Sequence, residues 1–100
     1  HVLFLQQEYD YALNILEDAI DFFPDNPCLW NNYGVVLFNK KEYDNAAEAF
    51  ECAVCIYPYY YDALYNLKDT YDILGNQVGK DECEKKLKNI QNNQGTFYAW

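Results

Sequence analysis

Apolar residues recur along this chain at intervals of three and four, broken by short polar runs and by proline. Tyr9, Ala12, Leu13, Leu16, Ala19, Ile20 and Phe23 fall on one face of a 3.6-residue period. The spacing predicts a helix from Tyr9 to Phe22, with residues 1–7 as the tail of an antiparallel partner. Pro24 stops this helix, because the residue before a proline is pushed out of helical geometry. Asn26 then suits a helix cap and Pro27 a first helical position. The helix they open runs to about Asn39, and Lys40-Lys41-Glu42 makes a turn. Further helices are predicted over Tyr43–Tyr57, ended by Pro58, and over Asp62–Leu74. Gly75 lies where a helix end favours a left-handed residue. A last helix, Lys80 to Asn92, carries lysines 80, 85, 86 and 88 on an exposed face. Gln91 to Gly95 reads as a polar break before the apolar tail Thr96-Phe97-Tyr98-Ala99-Trp100.

The pattern repeats. Tyr9 matches Tyr43, Ala12 matches Ala46, Ala19 matches Ala53 and Pro24 matches Pro58, each 34 residues on. Trp30, Asn31 and Asn32 fall in the same way on Leu64, Tyr65 and Asn66. A fixed period of this length means stacked supersecondary units, and a stack presents a concave surface. The expectation is an all-α solenoid of about two and a half repeats: a partial repeat 1–26, a full repeat 27–60, a degenerate repeat 61–92 and a tail 93–100. The third repeat breaks the match, since Lys80 falls on Ala46. Cys83, Leu87 and Ile90 restore it if three residues are inserted within Gly75–Gly79.

Trp30-Asn31-Asn32-Tyr33-Gly34-Val35-Val36-Leu37, with Ala46, Phe50, Ala53 and Pro58 downstream, resembles the tetratricopeptide repeat. Tyr33 and Leu37 exchange the large and medium apolar residues of that pattern, and Trp30, Tyr33, Leu37, Ala46, Phe50 and Ala53 are expected to be buried together. The resemblance implies a right-handed stack of antiparallel helix pairs, with the first helix of each pair lining a groove. Carried over position by position, the groove shows Cys28, Asn31, Asn32, Val35, Phe38 and Asn39, then Asp62, Tyr65, Asn66, Asp69 and Asp72. Asn32 and Asn66 occupy the slot where the family often has asparagine, whose amide both donates to and accepts from an extended backbone. Some members clamp a C-terminal carboxylate with groove lysines and an arginine. Here the only cation near those positions is Lys68, on a slot usually held by Gly or Ala, and the aspartates would repel an acidic tail. The implied partner is an extended protein or peptide segment, neutral to basic.

Composition narrows the alternatives. With 51% hydrophobic and 23% charged residues the chain can bury a core. Net charge is −9, with −7 in residues 1–50, and arginine is absent, so nucleic acid and anionic membranes are unfavourable partners. Cys52-Ala53-Val54-Cys55 lies inside a predicted helix rather than at its N-terminus, and Cys28 and Cys83 stand alone. Four free structural thiols and no metal are expected, which suits the reducing cytoplasm. No cofactor and no catalytic constellation are predicted; Asp69 and Asp72 share a face, but one that reads as solvated. The chain opens partway through a repeat without Met and reads as a piece of a longer protein. Two other readings stay open, a spacer within a larger repeat array and an accessory domain of an enzyme. Self-association through the ends, and docking of Phe97, Tyr98 and Trp100 on an apolar surface, are further expectations.

Overall fold

The computed structural model describes the backbone of residues 2–98 and the side chains of residues 5–91. Among the described residues five helices follow one another: α1 (Val2–Phe22), α2 (Pro27–Asn39), α3 (Tyr43–Ile56), α4 (Tyr61–Leu74) and α5 (Gln77–Tyr98). Among the described residues there is no strand. Each helix packs on the next in the chain, and α2 also touches α4, so the first helices of successive pairs form one wall.

The helix boundaries keep the 34-residue period more strictly than the side chains do. α1 ends at Phe22 and α3 at Ile56; α2 begins at Pro27 and α4 at Tyr61; α3 begins at Tyr43 and α5 at Gln77. The turns agree atom by atom. Lys41 has φ 67° and Gly75 has φ 76°. Glu42 N donates to Leu37 O and Asn76 N to Tyr71 O, both at 2.9 Å. The expected three-residue insertion is therefore absent. The backbone turn sets the register, and α5 fills it with different side chains. Cys83 and Leu87 take the places of Ala49 and Ala53 and are buried like them, while Lys80 and Glu84 lie half-buried where Ala46 and Phe50 would be.

Two other expectations need correction. α1 is one continuous helix, so residues 1–7 are not a separate antiparallel partner. Gln6, Gln7 and Glu8 stand where Lys40, Lys41 and Glu42 make the turn one period later. All three are good helix formers, and in α1 the helix simply runs through them. At the other end, α5 continues through Asn92–Gly95 to Tyr98, without a break at Gln91–Gly95. The side chains of Phe97 and Tyr98, and all of Trp100, lie outside the described residues, and the expected docking of the aromatic tail lies with them.

The core runs between the helix pairs around Phe50. Leu13, Leu37, Ala46, Ala47, Ala49, Leu64, Leu67, Cys83 and Leu87 pack with it. A Cβ on Gly34 would come within 2.5 Å of the Phe50 ring, so this crossing of α2 over α3 needs glycine. Ala46 and Ala53 are fully buried, but Trp30 and Tyr33, expected beside them, are only half-buried. Their polar atoms explain this. Trp30 Nε1 donates to Pro24 O at 2.9 Å, and the Tyr33 hydroxyl donates to Glu17 Oε1 at 3.0 Å, both at the edge of the core. One period on, the Tyr71 hydroxyl donates to Glu51. Glu17 and Glu51 are 34 residues apart, whereas the tyrosines sit on different slots of their repeats. The exchange of Tyr33 and Leu37 thus preserves one contact, in which each first helix hydrogen-bonds the glutamate of the preceding second helix.

Candidate partner-binding groove

Asn26 starts the first wall of the groove. Its side chain accepts from Cys28 N at 2.9 Å, and Pro27 occupies the first turn where no amide donor is needed. α4 starts in the same register at Tyr61, one residue earlier than its spacing predicts and without a side-chain cap. The two helices lie side by side, and two clefts open between them.

The first cleft, about 220 Å³, is lined by Val35, Phe38 and Asn39 from α2 and by Asn66 and Asp69 from α4, with Phe50 at its base. Phe38 is held edge-on against Tyr43, with ring centroids 5.1 Å apart. The second, about 460 Å³, is lined by Asn31, Tyr61, Asp62, Tyr65 and Asn66. Asn66 lines both. Its Nδ2 donates to Asn31 Oδ1 at 3.1 Å, and Asn31 is only 6% exposed. That bond ties α4 to α2 and fixes both amides at the junction of the clefts.

The remaining groove positions lie elsewhere. Asn32 is exposed beside Cys28, its Nδ2 3.9 Å from the sulfur. Asp72 lies on the α5 side of α4, where Lys80 Nζ reaches its Oδ1 at 3.0 Å. The neighbouring carboxylate, and not burial, holds the Lys80 ammonium above its usual range. Asp69 Oδ1 is 3.7 Å from Lys68 Nζ, which itself lies 4.2 Å from the centre of the Tyr65 ring. Neither aspartate is enclosed with a second carboxylate.

Two lining residues are outside the set that the repeat pattern points to. Phe50 reads from the sequence as core, which it is, and its ring also floors the first cleft. Tyr61 reads as part of the Tyr59-Tyr60-Tyr61 linker. The one signal for it is Pro27, which lies 34 residues earlier and opens α2. Among the described residues, no group of three or more His, Cys, Asp or Glu side chains is placed to hold a metal ion.

No family profile matches the chain. The peroxisomal targeting signal receptor of Eremothecium gossypii is 27% identical over 66 residues, 66% of this chain and 12% of that protein. The small glutamine-rich tetratricopeptide repeat-containing protein 2 of Saccharomyces cerevisiae is 28% identical over 90 residues, 90% of this chain and 26% of that protein. A crystal structure of MamA superposes on 94% of this chain and 51% of its own with a TM-score of 0.80, at 22% identity. The chain is a tetratricopeptide-repeat domain. Its five helices are the right-handed stack of antiparallel pairs that the repeat implies. This tetratricopeptide-repeat domain spans an eighth to a quarter of the curated relatives it matches. Among its described residues, no helix is long and apolar enough to cross a membrane.

Proposed function

We propose that the domain is a protein-interaction module, and that its concave face holds an extended, neutral-to-basic segment of a partner. The first cleft carries this reading. It combines an apolar floor and wall, Phe50, Val35 and Phe38, with a small set of convergent polar groups, Asn39, Asn66 and Asp69. Apolar side chains of a segment have a place against Phe38, and its backbone amides have acceptors beside them. The charge of the chain favours basic partners and disfavours acidic tails. The relatives support partner binding in general, since one is named as a receptor of a targeting signal. A cytoplasmic setting, which keeps the four cysteines free, is part of the proposal.

Peptide display against the 100-residue chain tests the reading. Selected segments should be neutral to basic. Phe38→Ala combined with Asp69→Asn should weaken them about tenfold while helicity is unchanged. A selection that yields only acidic-tailed ligands, or ligands indifferent to both substitutions, overturns it.

One observation favours a spacer role as a second reading. Ile15 is 51% exposed, although Ala49, one period on, is 3% exposed under its neighbours. A face of α1 is thus open to a further helix, as in a longer array. Under this reading the first cleft selects no peptide.

A further inference from the structure

The Tyr61 and Tyr65 rings are stacked, 6.2 Å apart at 23°, and they form a wall between two clefts. On one side, Lys68 lies with its ammonium 4.2 Å from the centre of the Tyr65 ring, beside Glu84 and Lys88. A cation over a tyrosine ring with a carboxylate close by is a favourable arrangement, electrostatic in origin. On the other side, the same two rings line a cleft with Asp62, Asn31 and Asn66, and no lysine among the described residues lines it. Each side thus brings the tyrosine pair beside a carboxylate, Glu84 on the first and Asp62 on the second.

We propose that the second cleft, about 460 Å³, is an arginine subsite, filled by a side chain of the bound segment. This rests on the groove reading, because the arginine belongs to that segment. Arginine fits better than lysine on chemical grounds. A guanidinium is planar, stacks on a tyrosine face, and can still donate in its own plane to a carboxylate and an amide oxygen. Asp62 supplies the carboxylate. It sits in the first turn of α4, where it also offsets the positive end of the helix that would otherwise oppose a cation. Asn66 supplies the amide, held in place by its bond to the buried Asn31. Lys68 is kept on the far side of the wall by the ring and by Asp69, so the like charges are separated by the tyrosine pair.

The probe is N-acetyl-arginine methylamide, with the citrulline analogue as a neutral isostere, titrated into the isotopically labelled chain and followed by NMR. The arginine probe should give saturable shifts at Tyr61, Tyr65 and the Asn66 side-chain amide. The citrulline probe should not, and Asp62→Asn should weaken arginine binding about threefold or more. Absence of saturable shifts at these residues, or equal shifts with citrulline, overturns the subsite. The two readings fail separately. Selected peptides that depend on Phe38 and Asp69 but ignore both their own arginine and Asp62→Asn would overturn the subsite and leave the groove. Arginine binding at Tyr61 with no peptide at Phe38 would do the reverse.

Discussion

Small residues decide how closely these helices approach. Ala46 has no exposed surface and lies in the core that Phe50 centres, so Ala46→Leu should overpack the contact and cost about 1–3 kcal/mol in urea unfolding. A neutral result would mean that the inward face of α3 has been misassigned. Two weak acids, the buried Cys83 and the half-buried Tyr71, give a pH dependence. Burial pushes the Cys83 thiol up to about 11, and burial together with the bond to Glu51 raises the Tyr71 hydroxyl well above its ordinary value of 10.0. In both, the fold favours the neutral form. Their contribution is whole below the unfolded values, 9.0 and 10.0, and is lost as pH rises through the higher folded ones. Urea midpoints should therefore hold from pH 7 to about 9 and then fall through about 11. Cys83→Ala should flatten the start of that fall and Tyr71→Phe its later part. A midpoint independent of pH over this range would contradict the assignment. The alanines and Phe50 were legible in the sequence because size and period coincide there. The half-burial of Trp30 and Tyr33 was not legible there, because their polar atoms draw them to the core edge and periodicity carries no information about hydrogen-bond partners.

Turns, more than side chains, carry the period at the level of elements. Gly75 could be read as a left-handed helix end; Lys41, its counterpart, could not, since a lysine gives no signal of positive φ. The pair makes a controlled test. Lys41→Gly should stabilise by up to about 1 kcal/mol, as relief of left-handed strain outweighs the added freedom of the unfolded chain. Gly75→Ala should destabilise by about 1 kcal/mol, although a Cβ there meets nothing within 4 Å. Thermal melts that move together in the same direction would show that the two turns are not equivalent. The same turns explain the failed insertion. Lys80 suggests it, because a lysine looks wrong for a packing slot, whereas its aliphatic stem lies half-buried in register. The groove was legible only in part for a related reason. The repeat pattern places residues on a helix, but it does not say which side of α4 a position serves. Val35, Phe38, Asn39, Asn66 and Asp69 meet in one cleft, while Asp72, on the same helix, turns to Lys80.

A stack whose helices touch mainly their neighbours distributes its stability unevenly along the axis. α3 is covered on both sides, by α2 and α4, and five of its residues are buried: Ala46, Ala47, Ala49, Phe50 and Ala53. Among its described residues, α1 buries only Leu13 and Ile20 and packs on α2 alone. Nearest-neighbour coupling then predicts that openings begin at α1 and reach α3 only with the whole domain. Native-state hydrogen exchange should show this. Amides from Phe50 to Val54 should exchange at the rate set by global unfolding. Those from Leu16 to Ile20 should exchange at least about tenfold faster, through a local opening that urea affects only weakly. Ile15→Glu, on the open face of α1, should change neither set by much, whereas Phe50→Ala should collapse both onto one low value, because its ring joins the two halves of the core. Equal protection in α1 and α3 would require α1 to be covered by something other than α2, and the obvious candidate would then be a second copy of the chain, visible as a doubled mass in sedimentation.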